Sequence, residues 1–214
     1  MTATSSYFET RFSYDPRRET LWRCLWKYHF RRYVRPSDCV LELGSGYGHF
    51  INNVEARRRI AVDVWPQFVD YLAAGVEGHV GSAADLDFVE DGAVNFAFAS
   101  NLAEHLTQAE FSRLLAQLKV KLAPGGLIAL LQPNYRYAFR EYFDDYTHVA
   151  VYSDVSLRDF LGANGFDIVA CSPRFTPLTI KSRFRVWPFL VWLYLHLPFK
   201  PLGKQMLIVA RPSR

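Results

Sequence analysis

Residues 41–48 read Leu-Glu-Leu-Gly-Ser-Gly-Tyr-Gly, and this stretch decides the predicted fold. The apolar run 39–43 predicts a strand, and the glycines after it predict a tight turn whose backbone N–H groups stay open to a ligand. Asp63 stands twenty-one residues after Glu42, at the end of a second apolar run. A glycine-rich turn with an acid after the next strand predicts a nucleotide-like ligand at the carboxyl edge of a parallel sheet.

Strand and helix patterns alternate along the rest of the chain. Thr107 with Glu110 has the spacing of a capping box, and Ser153 with Ser156 opens the last regular helix. The alternation predicts an α/β fold with a doubly wound, mostly parallel, seven-stranded sheet. No clean crossover helix precedes the last strand, which is therefore expected to be antiparallel or inserted at an edge. Strands are predicted at 39–43, 59–64, 77–81, 93–99, 126–132, 166–172 and 204–210, and helices at 17–33, 47–57, 66–74, 107–122 and 154–163.

Length and composition indicate one folded domain with extensions. The 214 residues, half of them hydrophobic and about a fifth charged, suffice for one substantial core. Cys24, Cys39 and Cys171 have no CxxC spacing, which favours reduced thiols over disulfides or a zinc site. The N-terminus lacks the basic start and apolar stretch of a secretory signal, so a cytoplasmic location is predicted.

The glycine spacing separates two classes of adenosyl ligand. A dinucleotide fingerprint would have its third glycine at position 49, where the chain has His49. Glu42, two residues before the first glycine, is also a poor neighbour for a pyrophosphate. It suits a ligand with a cationic amino group and no phosphate.

Five ordered motifs carry a resemblance to a known family. They are 42–48, Asp63, Ala84-Asp85, 100–106 and 122–126. As a set, spread over residues 38–172 and 204–211, they resemble the class I S-adenosylmethionine-dependent methyltransferases, which have a Rossmann-like fold. The resemblance implies S-adenosylmethionine as the cofactor and transfer of its sulfonium methyl group.

The resemblance also implies roles for single residues. Asp63 would accept hydrogen bonds from the ribose hydroxyls, Glu42 would organise the methionine amino end, and Trp65 could stack on adenine. Because the sulfonium is already reactive, proximity and orientation supply much of the acceleration, and a general base is not obligatory. The implied cofactor-binding residues are Glu42, Gly44, Ser45, Gly46, Gly48, Asp63, Val64, Ala84, Asp85 and Asn101.

Two histidines are candidate catalytic residues at the acceptor side. His148 lies in the connection 132–148 after the fifth strand, at the sheet edge where an acceptor must approach. Its imidazole is a candidate general base, and a structural hydrogen bond in the loop is the alternative. His105 follows the fourth strand and either faces the methyl donor or caps a short helix.

Further polar and aromatic residues lie in the same connection. Tyr135 and Tyr146 are candidate substrate-binding residues. Asp144, Asp145 and His148 have neither a persuasive fourth ligand nor an established spacing, so no metal site is predicted there.

Both ends of the chain are basic. Residues 1–37 carry a net charge of +5 and residues 174–214 of +8, whereas 38–173 carry −9. In the resembled family such an N-terminal segment commonly covers the cofactor, so 1–37 are predicted to form a helical lid on a cofactor-binding domain at 38–214. Arg11 and Tyr14 either reach the methionine carboxylate or simply pack on the sheet.

An apolar insertion is predicted at 181–200. Its fourteen-residue core, 186–199, is too short to span a bilayer, which takes about twenty helical residues. It suits a helix lying in the membrane interface, with tryptophans near the headgroups and cations on anionic lipid. A cap on the sheet or a contact with a partner subunit is the alternative.

Together these features predict a methyltransferase acting on a small molecule, a sugar or a lipid-linked glycan, in the cytoplasm or at the inner face of the membrane. Two alternatives remain, and the basic ends favour the first of them. One is an RNA methyltransferase, although no recognisable RNA-binding module is present. The other is a noncatalytic subunit that binds the adenosyl ligand.

Overall fold

The computed structural model describes residues 14–177 and 186–213. Its centre is a seven-stranded sheet with the order β3-β2-β1-β4-β5-β7-β6. The first five strands are parallel, and β7 lies between β5 and β6, antiparallel to both. This confirms the predicted topology: of the two expectations for the last strand, the antiparallel direction is confirmed, and the strand lies inside the sheet rather than at an edge. The strands are β1 Cys39–Leu43, β2 Arg58–Asp63, β3 Val76–Val80, β4 Val94–Ser100, β5 Leu122–Pro133, β6 Phe166–Pro177 and β7 Gly203–Pro212.

Helices cover both faces of the sheet. The helices are α1 Pro16–Tyr28, α2 Gln108–Lys121, α3 Tyr135–Ala138, α4 Asp154–Ala163 and α5 Pro188–His196. Side chains of β1 point to the two faces in turn: Leu41 and Leu43 pack in a buried cluster with α2 and α4, and Val40 packs in a second cluster with α1. This alternation of buried side chains makes a sheet with two apolar faces, which requires helices on each side.

Both predicted helix starts are confirmed. Thr107 and Glu110 form a reciprocal capping box ahead of α2, and Ser153 and Ser156 form another ahead of α4. Each pair satisfies backbone N–H groups that the first helical turn leaves without intrahelical partners.

The helices predicted at 47–57 and 66–74 are wrong. Only short 3-10 turns occur there, at Ile51–Asn53 and Pro66–Tyr71. The Asn52 side chain instead bridges to the second turn, donating to the Tyr71 carbonyl at 2.8 Å and accepting from the Ala73 N–H at 2.8 Å. Side-chain bonds of this kind compete with helical hydrogen bonds and outweigh the apolar spacing.

The predicted N-terminal helix is divided in two. α1 ends at Tyr28, and a 3-10 turn, Phe30–Tyr33, follows after His29, whose backbone is not helical. Within the described residues, no helix is long and apolar enough to cross a membrane.

Candidate functional site

The glycine turn after β1 has the backbone conformation that its sequence predicts. Gly44, Gly46 and Gly48 all have positive φ, at 68°, 52° and 65°. A Cβ added at Gly44 would lie 3.1 Å from Leu102 Cδ1, so the segment after β4 packs directly on the turn. Residues other than glycine adopt this region at a cost, and at Gly44 the Leu102 side chain would also have to shift to make room.

Asp63 ties the turn to the end of β2. Its Oδ2 accepts the Gly46 N–H at 2.7 Å, and its Oδ1 accepts the Trp65 N–H at 2.9 Å. Burial raises the pKa of this carboxyl, and the backbone N–H groups of Trp65, Gly46 and Val64 oppose that rise. Since a carboxylate oxygen has two lone pairs, each oxygen can accept a further hydrogen bond from a ligand.

Glu42 lies beneath the turn and is buried. Its Oε2 accepts the Ser45 hydroxyl at 2.9 Å and the Ile51 N–H at 3.1 Å. Burial raises the pKa of Glu42 to about 8. A cationic group placed beside it would favour the charged carboxylate again.

Aromatic rings line the turn. Trp65 is buried and stacks on Tyr71 with centroids 5.6 Å apart, while Tyr47 meets both rings edge-on at 5.1 and 4.7 Å. Tyr14 stacks on His49 at 5.7 Å and donates from its phenol to Glu19. The sequence interpretation identified Trp65 and Tyr14 but missed Tyr47 and Tyr71, although Tyr47 stands inside the glycine motif. Arg11 lies outside the described residues.

The other predicted cofactor residues also follow strand ends at this edge. Val64 is exposed, Ala84 is buried and Asp85 is exposed. The Gly81 N–H donates to the Asp63 carbonyl at 2.9 Å, which holds the segment after β3 beside the turn. Asn101 has a φ of 50°, and its Oδ1 accepts from the Gln205 amide of β7 at 2.8 Å.

The structure brings the two candidate catalytic histidines together. The rings of His105, after β4, and His148, after β5, lie 4.8 Å apart at their centroids. Glu104 joins them: one ligand-type atom from each of these three residues lies within 4.8 Å of the others. The sequence interpretation missed Glu104, although it immediately precedes His105.

Glu104 is fully buried, and within residues 14–177 and 186–213 neither carboxylate oxygen has a hydrogen-bond partner. Burial raises its pKa to about 8. Its backbone carbonyl accepts the N–H groups of Val149 and Ala150 at 2.9 and 3.1 Å. Those two bonds hold the loop that carries His148 against the end of β4.

Hydrogen bonds fix the tautomer of His105. Its Nδ1 lies 3.0 Å from the Thr147 hydroxyl and 3.3 Å from the Thr147 carbonyl. The hydroxyl donates its proton to Asp145 at 2.6 Å, so both groups facing Nδ1 are acceptors. Nδ1 therefore carries the proton, and Nε2 carries the lone pair.

His148 is half-buried beside Tyr142, with ring centroids 4.8 Å apart. Its buried Nδ1 has no hydrogen-bond partner among the described residues. Burial lowers the pKa of His148, and burial together with the neighbouring His148 imidazole lowers the pKa of His105 to about 4. Both imidazoles are therefore neutral near pH 7.

The two candidate substrate-binding tyrosines differ in position. Tyr135 is half-buried and meets the Tyr142 ring edge-on at 5.3 Å, so it adjoins the histidines through one intervening residue. Tyr146 lies with 68% of its surface exposed.

The methyltransferase domain family matches residues 14–171 of this chain. No curated protein sequence is significantly similar to this chain. The matched range contains the glycine turn and the cluster of Glu104, His105 and His148.

Solved methyltransferase structures have a similar fold. A SAM-dependent methyltransferase from Archaeoglobus fulgidus superposes with a TM-score of 0.69 at 19% identity, over 98% of this chain and 99% of its own. A chain from the complex between the Haloferax volcanii Trm112 methyltransferase activator and the putative methyltransferase superposes with a TM-score of 0.66 at 16% sequence identity. The superposition covers 99% of this chain and 94% of that chain. Geranyl diphosphate C-methyltransferase from Streptomyces coelicolor superposes with a TM-score of 0.62 at 13% sequence identity, over 87% of this chain and 76% of its own.

Proposed function

Since this chain belongs to the class I S-adenosylmethionine-dependent methyltransferases, as the match over residues 14–171 shows, we propose that it methylates a lipid-linked glycan at a membrane surface. S-adenosylmethionine is the methyl donor. The observation that carries the proposed acceptor is the exposed apolar helix α5 beside the acceptor edge.

The proposed donor site is the glycine turn with the acids on either side of it. The lone pairs left on Asp63 can accept the two ribose hydroxyls, and Glu42 attracts the amino group of the methionine moiety. Trp65 and Tyr71 offer ring faces to adenine. The remaining proposed donor contacts are Gly44, Ser45, Gly46, Gly48, Val64, Ala84, Asp85 and Asn101.

Helix α5 is apolar on all sides, and its Leu195 packs against the buried cluster that contains α1. None of its residues is buried, and Phe189 and Leu190 are 66% and 55% exposed. Trp187 and Phe199, on either side of the helix, are 56% and 67% exposed. A continuous apolar surface of this kind marks a contact with a membrane or a partner. The interfacial tryptophans and the short length favour a helix that lies in the membrane surface.

The charge around α5 favours an anionic surface. Residues 174–214 contain no acidic residue and carry a net charge of +8. Lys200 donates to the carbonyls of Tyr194 and Leu195, which keeps one cation at the C-terminal end of the helix. Basic residues beside an apolar helix attract anionic headgroups.

The apolar surface of α5, Trp187 and Phe199 lies beside the connection 132–148, where the acceptor is expected. The Asn134 N–H donates to the Lys204 carbonyl at 2.8 Å, and the Lys204 ammonium pairs with Glu141. Arg174 lies 4.9 Å from the Tyr137 ring centroid and 5.6 Å from that of Phe199. A lipid-linked acceptor held at α5 would therefore have its head group near α3, whose Tyr135 meets Tyr142, the ring beside His148.

Residues 1–37 are proposed as the lid over the donor. Tyr14 supports this role because its ring contacts Tyr47, His49 and Tyr71, all beside the glycine turn. A lid there would exclude water from the sulfonium during transfer.

The acceptor is tested by incubating the full chain with donor and a lipid-linked glycan extract, followed by mass spectrometry. One glycan species should gain a single methyl group, and Asp63→Ala should abolish the gain. Methylation of only water-soluble metabolites would refute a lipid-linked acceptor.

Membrane binding is tested by sedimentation with vesicles of phosphatidylglycerol and phosphatidylcholine. The wild type should sediment, and the double variant Phe189→Ser, Leu190→Ser should stay in the supernatant. Val120→Ser is the matched control, since Val120 is 53% exposed on α2, away from this surface. Equal sedimentation of all three proteins would exclude α5 as the contact.

Two other outcomes correspond to the alternative functions. Binding of RNA that weakens steeply with salt, together with methylated RNA, would support an RNA methyltransferase. Donor binding with no methylated product in any extract would support a noncatalytic subunit.

A further inference from the structure

We propose that Glu104, His105 and His148 bind one divalent transition-metal ion. One ligand-type atom from each residue lies within 4.8 Å of the other two, so the three converge on a common point. Ligands about 2.1 Å from a shared ion lie about 3 to 4 Å apart, so a modest inward shift of the side chains completes the site.

The carboxylate of Glu104 provides the first argument. It is completely buried, and among the described residues neither oxygen has a hydrogen-bond donor. No lysine or arginine of the described chain lies within ion-pair distance of it either. A buried carboxylate without a donor or a counter-charge is costly, and a bound cation removes that cost.

The histidines provide the second argument. His105 has its Nδ1 proton directed at Thr147, so the lone pair is on Nε2. The chain from His105 through Thr147 to Asp145 is the outer arrangement that orients metal-bound imidazoles in proteins. His148 adds a buried Nδ1 without a partner among the described residues. The site thus gathers electron pairs from three side chains.

The donor set indicates which metal is bound. Two imidazole nitrogens and one carboxylate suit Mn²⁺, Fe²⁺, Co²⁺ or Zn²⁺ better than Mg²⁺ or Ca²⁺, which prefer oxygen ligands. Three protein ligands also leave coordination positions open, as in catalytic rather than structural sites.

The site lies beside the donor. Leu102, two residues before Glu104, packs on Gly44 of the glycine turn, because an added Cβ there would lie 3.1 Å from it. An acceptor hydroxyl on an open position would have its pKa lowered by the metal and lose its proton to water. Its oxygen then bonds to the methyl carbon while the carbon–sulfur bond breaks, which releases S-adenosylhomocysteine. This role rests on the proposed function, whereas metal binding does not.

The test uses the full chain, stripped of metal with a chelator and dialysed. Mn²⁺ binding is followed by loss of the free-ion electron paramagnetic resonance signal, and Co²⁺ binding by visible absorption. We expect one equivalent of each ion to bind. Glu104→Gln and His148→Asn should each weaken binding at least tenfold, and His148→Asn should also change the Co²⁺ spectrum. His196→Gln is the matched control, an exposed histidine on α5, and should bind as the wild type does.

Binding of S-adenosylmethionine, measured by calorimetry on the same samples, shows that each variant is folded. Failure of the folded wild type to bind Mn²⁺, Co²⁺ or Zn²⁺ at one equivalent would overturn the proposal. So would equal affinity in the wild type, Glu104→Gln and His148→Asn. Because no acceptor is used, an error in the proposed acceptor leaves the result unaffected.

Discussion

Buried acids on the two sides of one sheet edge differ in their hydrogen bonding. The donor side is the glycine turn after β1 with Asp63, and the acceptor side is the cluster of Glu104, His105 and His148. Asp63 and Glu42 accept hydrogen bonds from the glycine turn and its flanking residues. Glu104, just after the neighbouring strand β4, has no hydrogen-bond donor at either oxygen within the part of the chain described. One pair of acids is part of the local structure, and the third lacks a partner.

The first two acids hold the turn in place, whereas the partner of Glu104 would, on our proposal, be a bound ion. The two donor-side acids accept hydrogen bonds from backbone N–H groups and from the Ser45 hydroxyl, so their positions are set without a ligand. An unsatisfied buried acceptor costs about 1 to 3 kcal/mol of stability, and an ion at the proposed site would offset that cost. Enzymes commonly have lower stability at positions whose residues serve activity.

The largest expected effect comes from Asp63→Ala. It leaves the Gly46 and Trp65 N–H groups without their acceptor and removes the proposed ribose contact. Affinity for S-adenosylmethionine, measured by calorimetry, should fall about 100-fold, since two hydrogen bonds to a charged group are lost. Asp70→Ala, at a nearby exposed acid, is the control and should bind normally. Equal affinities would show that Asp63 does not hold the donor.

Glu104→Leu should stabilise the protein, whereas removal of a hydrogen-bonded acid such as Asp63 should not. In the metal-free protein it replaces an unsatisfied buried carboxyl by an apolar side chain of similar size. The free energy of unfolding in urea, with a chelator present, should rise by about 2 kcal/mol. A fall in stability would mean that Glu104 has stabilising contacts, and the contrast between the two sides would fail.

Gly44→Ala tests how strictly the turn requires glycine. The residue has a φ of 68° and would also meet Leu102, whereas Gly92 has a φ of 67° and open space around it. Both alanine variants should lose about 1 to 2 kcal/mol of stability in thermal unfolding, because L-residues are strained there. Only Gly44→Ala should also weaken donor binding, by about tenfold. Unchanged donor affinity in Gly44→Ala would show that the close packing of the turn is dispensable.

Glu42→Gln tests the pH dependence of the donor side without ligand. The pKa of Glu42 is about 8 in the folded protein and 4.5 in its ordinary state, so the folded form holds its proton more tightly. Its contribution to stability is therefore complete below pH 4.5 and is lost as pH rises toward 8. Between pH 6 and pH 8 the wild type should lose at least about 1 kcal/mol relative to Glu42→Gln in urea unfolding. Parallel pH profiles would contradict this.

Much of the donor side could be predicted from sequence because its signals are local. The glycine spacing, the acid after β2 and the two helix caps each depend on residues close together in the chain. The antiparallel direction of β7 could also be predicted, because the sequence shows no clean crossover pattern before it, although the connection contains α5. The helices predicted at 47–57 and 66–74 failed because the Asn52 side chain joins two turns that are distant in sequence.

The acceptor side could be predicted only in part, because its properties arise from long-range packing. His105 and His148 were recognised singly, but their approach requires residues 149 and 150 to bond to the Glu104 carbonyl. That contact holds the loop with His148 against Glu104, so the lack of partners at the Glu104 carboxylate has no signature in the local sequence. The tautomer of His105 likewise depends on Thr147, forty-two residues away.

The insertion of β7 between β5 and β6 has a consequence for biosynthesis. Among the described strands, β6 pairs with β7 alone, so residues 166–177 have no sheet partner until 203–212 have left the ribosome. During that interval β6 and the apolar α5 are synthesised but not yet assembled, and exposed segments of this kind are prone to aggregate. The parallel strands β1 to β5, which carry the glycine turn, can pair earlier. The sheet is complete only when β7 has paired with β5 and β6.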